Sequence, residues 1–96
     1  MNVMTTTIHN PGQSPGAEVL ALTALGWILE EEQRAQRLLS LTGLDPDALR
    51  TGLTEPAVQL AVLDFLGNHE PDLIRCAEAL AVTPEELIRA ARELVR

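Results

Sequence analysis

Two six-residue stretches, LDPDAL at residues 44–49 and VTPEEL at residues 82–87, indicate where helices begin in this chain. Each has the same order: an apolar residue, a capping side chain, proline, an acid and, at its end, leucine. Asp45 and Thr83 are good N-caps, and proline suits the first helical position because its missing N–H has no partner there. In VTPEEL, Glu86 also completes a capping box with Thr83. Shared capping physics accounts for the likeness, so we infer no internal duplication.

The composition favours helices over strands throughout. Hydrophobic residues make up 46% of the 96 residues, and they include one Trp, one Phe and no Tyr. Leu and Ala are strong helix formers, whereas aromatic and β-branched residues favour strands. We therefore predict an all-α fold, a compact orthogonal bundle of five or six short helices.

Helix boundaries follow from caps, prolines and glycines. Ser14 and Pro15 predict the first helical start, Gly43 a left-handed helix end, and Gly52 a second end. Residues 1–14 carry no formally charged side chain and are predicted to be a flexible tail before a single domain at 15–96. The first helix either continues to residue 41 or breaks near residues 31–33. The remaining predicted helices are a short one from Pro46, then 54–66, 72–81 after a turn at 67–71, and one from Pro84 to about Val95.

The charge balance is acidic. Seven arginines and no lysine face fourteen carboxylates, which gives a formal net charge of −7. Such a field repels phosphate backbones and anionic membranes, so nucleic acid is disfavoured as a partner. The longest apolar stretch, residues 19–29, is shorter than the ~20 residues that span a bilayer, which argues against a membrane protein. A single cysteine, Cys76, and no visible secretory signal point to the cytoplasm.

Residues 72–96 nevertheless resemble a helix-turn-helix unit. Ala77 is the small residue where two helices would cross, and Ala81 stands where such units usually have glycine. Arg89 and Arg92 would face a DNA groove, with Glu85 opposing their charge. A plain corner between two bundle helices accounts for the same residues, and it is the preferred interpretation.

No catalytic or metal-binding constellation is evident. Cys76 and His69 are seven residues apart, and we expect Cys76 to be a core residue and His69 an exposed turn residue. Asp64 interrupts an apolar helix and is expected at its surface. One cysteine and two histidines without ligand spacing do not predict a zinc site. We therefore expect no enzyme activity, no cofactor and no small-molecule substrate.

Two predicted helices, at 17–29 and 56–66, are apolar nearly all round, and a domain this small has difficulty burying both. The first helix has one apolar face that we predict as a contact surface, and an opposite face of Leu22, Leu25 and Leu29. An exposed apolar face of this kind marks protein contacts, so we expect a protein-interaction or structural module, with a protein partner or a homodimer. The predicted contact face consists of Leu20, Ala24, Trp27 and Ile28.

The stretches LTGLDPDALR (41–50) and AVLDFL (61–66), with Leu25 to Trp27 and TPEEL as weaker anchors, resemble a family of small all-helical bacterial proteins of unknown function. The resemblance covers residues 20–90. It implies the same helical fold and, through a helix break in the family where this chain has EEEQ, two helices rather than one before Leu41. It implies no activity, because the matching positions are core and capping residues.

Overall fold

The computed structural model describes residues 16–95, which form six α-helices and no β-strand. This confirms the all-helical fold class. The predicted tail, Ser14 and Pro15 lie outside the described residues, and the first helix has Gly16 as its N-cap. The helices are α1 (Ala17–Leu29), α2 (Glu32–Thr42), α3 (Pro46–Thr51), α4 (Pro56–Gly67), α5 (Glu70–Leu80) and α6 (Pro84–Leu94).

The predicted capping devices are present. Asp45 Oδ1 accepts a hydrogen bond from the N–H of Ala48 at 2.7 Å, and Gly43 ends α2 in the left-handed conformation at φ 75°. Thr83 and Glu86 form the reciprocal capping box at the start of α6. These caps could be predicted from the sequence because each of them acts within three or four residues along the chain.

The chain breaks between α1 and α2 at Glu30 and Glu31, as the resemblance implied. Arg34, in the first turn of α2, reaches back over this corner. Its Nη2 donates a hydrogen bond to the carbonyl oxygen of Trp27, and its guanidinium lies 3.7 Å from the centre of the Trp27 ring. Glu31 is 3.5 Å from the same guanidinium. The side chain thus adds a second donor to the Trp27 carbonyl, which also accepts from the N–H of Glu30 at 3.2 Å, and it covers an aromatic face.

The turn before α5 is shorter than predicted. Asn68 and His69 alone separate α4 from α5, because Glu70 and Pro71 already belong to the first turn of α5. Proline is tolerated there, where the helix has no partner for its N–H. At the other end, α5 stops at Leu80 and Ala81 takes a left-handed conformation at φ 59°.

The core lies where α1, α4 and α6 pack against one another, with α5 and α2 on the flanks. Gln59 is a buried polar residue, and its Nε2 donates to the carbonyl oxygen of Leu53 at 2.9 Å. The buried apolar residues are Leu20, Ala21, Ala24, Leu25, Ile28, Leu38, Leu49, Val62, Leu63, Phe65, Leu66, Leu73, Cys76, Ala77, Leu87 and Ala90.

Candidate functional site

The predicted contact face of α1 turns inward. Leu20, Ala24 and Ile28 are buried in the chain's own core, and Trp27 is half-buried beneath Arg34. The inward turn follows from the position of α1, which packs against both α4 and α6. These four residues are therefore not a free surface of the folded chain.

The two apolar helices differ in how completely they are covered. The large apolar side chains of α4, including Phe65, are buried or half-buried, so one chain seals this helix from water. On α1, by contrast, Val19 and Leu29 stay 56% and 47% exposed. The exposed large apolar residues are thus these two on α1 and four in other parts of residues 16–95. The other four are Leu41, Ile74, Ile88 and Val95.

Leu29 forms one side of an open apolar groove, which we call the α1–α3 groove. It lies between the C-terminal end of α1, helix α2 and helix α3, and it has a volume of about 360 Å³. Arg50 is the sole charged side chain in its lining. The lining residues are Leu25, Leu29, Leu39, Pro46, Leu49, Arg50 and Leu53.

Local structure holds the far wall of this groove in place. The Asp45 cap and Pro46 fix the start of α3, and a close approach fixes its end. A Cβ atom at Gly52 would lie 2.5 Å from Val58 Cγ2, so only glycine leaves room for α4 at this point. The hydrogen bond from Gln59 to the carbonyl of Leu53 then ties the next residue to α4. The groove is therefore a preformed feature of the fold.

A second groove, of about 410 Å³, has a more polar lining that includes Asp64, Asn68 and His69. Asp64 is exposed, as the sequence predicted. Its neighbours serve the fold: the amide of Asn68 donates to the carbonyl oxygen of Asp64 at 2.9 Å, and the Thr42 hydroxyl donates to that of Leu38 at 2.6 Å. The Asn68 amide and the Thr42 hydroxyl of this groove are thus engaged with the backbone, whereas the Asp64 carboxylate is exposed in its lining.

Asp72 is a buried carboxylate that sequence reasoning missed. One of its oxygens, Oδ2, lies 2.5 Å from Arg37 Nη2 and 3.1 Å from His69 Nδ1. The Arg37 contact is a hydrogen bond, whereas His69 Nδ1 is close but not aligned for one. Arginine pairing offsets the cost of burying the carboxylate and joins α2 to α5. No local signal in the sequence indicated this burial, because Asp72 directly follows Pro71 in an acidic first helical turn, where exposed acids are common.

Cys76 is a core residue, as predicted. Its side chain is fully buried, and this burial raises the pKa of its thiol to about 11. The charge of Arg34 lowers this pKa and that of Asp72 raises it, both to a smaller extent than burial. At neutral pH the thiolate is a trace species, and the thiolate is the nucleophilic form. Within residues 16–95, no group of three or more His, Cys, Asp or Glu side chains is placed to hold a metal ion.

The α5–α6 corner places Arg89 and Arg92 on the exposed face of α6. Glu85 and Glu93 are exposed on the same helix, so acids and bases alternate along it. The inward face of α6 packs into the core through Leu87 and Ala90. Ala81 supplies the left-handed backbone at the position where helix-turn-helix units usually place glycine. None of the helices in the described region is long and apolar enough to cross a membrane.

Comparison with known proteins gives one match. The model of a family described as protein of unknown function (DUF3572) matches residues 14–95. No curated protein and no solved structure matches the chain.

Proposed function

The chain belongs to the DUF3572 family of proteins of unknown function, and from its geometry we propose that it is a protein-interaction module that binds a segment of another protein in the α1–α3 groove. Binding rather than catalysis is the proposed role. The buried Cys76 thiol and the committed carboxylate of Asp72 support this choice, because neither is available as a nucleophile or base.

The observation that carries the proposal is the groove itself. Pockets that bind ligands or partner side chains are concave, mostly apolar and largely preformed, with volumes from about 300 Å³ upward. The α1–α3 groove meets each of these conditions, with leucines on both walls and Gly52 and Gln59 holding one wall in place. Leu29 and Leu53 both line the groove, where a partner's apolar side chain would contact them.

The proposal is tested by affinity purification from an extract of the native cell. The wild-type chain and Leu41→Glu are expected to retain the same partner, whereas Leu29→Glu loses it. Leu41 is the matched control because it is an exposed leucine, 71% accessible, that does not line the groove. Circular dichroism confirms that both variants fold. Loss of the partner in both variants, or in neither, contradicts the proposal.

Self-association is a second form of the same proposal, with a second copy as the groove's occupant. Sedimentation at micromolar concentration measures it directly. A mass of two chains that returns to one in Leu29→Glu supports a homodimer, and a mass of one chain in the wild type counts against it.

Nucleic-acid binding through residues 72–96 is the second candidate function. The left-handed Ala81 between α5 and α6, with Arg89 and Arg92 exposed, is the observation that favours it. The net charge of −7 opposes it, because phosphate contact dominates such affinity. Retention on heparin at low salt, lost in the double variant Arg89→Glu and Arg92→Glu, would support this candidate.

A further inference from the structure

Exposed acidic residues are close neighbours, along the chain, of residues that line the α1–α3 groove. Glu30 follows Leu29 at the end of α1, Asp45 and Asp47 flank Pro46 at the start of α3, and Glu55 stands two residues after Leu53; all four are exposed. Arg50 is the one base in the lining, and its Nη1 lies 3.0 Å from Asp47 Oδ1. The charge of Arg50 is thus largely offset by Asp47, and these neighbouring positions carry four acids and one base.

A second copy of this chain is a poor match for these surroundings. Each copy carries a formal charge of −7 and no lysine, so two copies repel each other at long range. The exposed pair of Arg89 and Arg92 lies on α6 beside Glu85 and Glu93, which offset it. Charge complementarity therefore favours an occupant that differs from this chain.

We propose that the α1–α3 groove binds a short basic amphipathic helix of another protein, with apolar residues in the groove and Lys or Arg on the flanks toward Glu30, Asp45, Asp47 and Glu55. This inference rests on the proposed function and specifies the chemistry of its partner. An apolar groove takes such a helix through anchors at positions i, i+4 and i+7. The acidic side chains near the groove attract a positively charged segment and increase its rate of association.

Two synthetic amphipathic peptides test the inference against the full chain. Both have leucine at i, i+4 and i+7; one has lysine on its flanks, and its twin has glutamate at the same positions. The lysine peptide is expected to bind about tenfold more tightly or better, and its advantage shrinks as salt is added because salt screens exposed charges. Fluorescence anisotropy measures both affinities.

Variants of the chain test whether the acids near the groove cause the preference for the lysine peptide. The double variant Glu30→Gln and Asp47→Asn is expected to weaken the lysine peptide about threefold or more. The matched control, Glu78→Gln and Glu85→Gln, makes the same change of charge at exposed positions on α5 and α6 and leaves the affinity nearly unchanged. Leu29→Glu is expected to abolish the binding of either peptide, while Leu41→Glu is not.

The outcomes separate this inference from the proposed function. If both peptides bind equally at all salt concentrations and Leu29→Glu removes both, the groove binds protein segments but the basic partner is wrong. If neither peptide binds, or if Leu29→Glu changes nothing, the inference is contradicted because the groove does not bind such a helix. If the wild-type chain dimerises through Leu29, a second copy is the occupant and the inference is likewise overturned.

Discussion

Ala81 is the clearest case in which a single residue is at odds with its backbone. It holds φ at 59°, and within residues 16–95 no other non-glycine residue has a positive φ. The N–H of Val82 donates to the carbonyl oxygen of Ala77 at 2.9 Å, which closes the end of α5 in the manner that glycine normally permits. An L residue in this conformation costs about 1 kcal/mol through the contact of its Cβ with the backbone.

Replacing Ala81 with glycine is expected to raise the free energy of unfolding, by up to about 1 kcal/mol, because the Cβ strain is relieved. Urea denaturation measures the change. The same substitution two residues earlier, Ala79→Gly, is the control: Ala79 is an exposed residue inside α5, where glycine costs about 1 kcal/mol. Equal destabilisation by both variants would contradict the strain at Ala81.

Cys76 predicts a dependence of stability on pH. Its thiol has a pKa of about 11 in the folded chain against the ordinary 9.0. Below pH 9 both states keep the proton and the thiol has no effect. Above it the unfolded chain releases the proton first, so stability falls as the pH rises from about 9 toward 11. Urea denaturation across this range should show a steeper loss in the wild type than in Cys76→Ala; identical slopes would contradict the prediction.

At the scale of the helices, two glycines show why position in the fold matters more than residue type. Gly26 lies inside α1, and a Cβ there meets nothing within 4 Å. Gly52 ends α3, where a Cβ would meet Val58 at 2.5 Å and the carbonyl oxygen of Ala48 at 3.0 Å. Among the glycines of residues 16–95, the tight contact is therefore at Gly52, where α3 meets α4.

Opposite effects are expected from alanine at these two glycines. Gly26→Ala should stabilise the chain by about 1 kcal/mol, because position 26 is exposed and alanine is the better residue inside a helix. Gly52→Ala should destabilise it by about 1–3 kcal/mol through overpacking against Val58. Thermal unfolding measures both. Adding Val58→Ala should relieve the clash, so Gly52→Ala should cost less in that background than in the wild type; an unchanged cost would exclude Val58 as the cause.

At the scale of the whole molecule, the ion pair between Arg37 and Asp72 connects helices that are distant in sequence. The two residues are 35 positions apart, and the carboxylate is buried while the arginine is partly exposed. A pair of this kind is costly to break because the remaining charge loses its partner in a poorly solvated place.

Asp72→Asn is expected to lower the free energy of unfolding by about 1–3 kcal/mol, less than for a pair buried on both sides because Arg37 can reach water. Asp47→Asn is the control. It removes the acid of an exposed pair with Arg50 at 3.0 Å, and such pairs contribute about 0–1 kcal/mol. Urea denaturation of the two variants at neutral pH gives the comparison, and an equal loss in both would contradict a special role for the buried carboxylate.

Part of the candidate site could be predicted from the sequence, and part depends on the packing of the whole molecule. The sequence showed that α1 is apolar on two sides, but not that Leu20, Ala24 and Ile28 face inward. That choice depends on where α4 and α6 pack. The groove beside Leu29 could not be foreseen, because its walls come from helices that meet only in the folded chain.

Local sequence signals are sufficient to predict that the chain is helical and where most of its helices begin and end. Caps, prolines, glycines and apolar periodicity act over three or four residues, so they can be read without knowing the fold. Only the packing of the helices decides which apolar face of α1 stays open, that Asp72 is buried with Arg37, and that an apolar groove lies between α1 and α3. These features arise from contacts between segments far apart in the chain, and no local pattern encodes the geometry in which such segments pack.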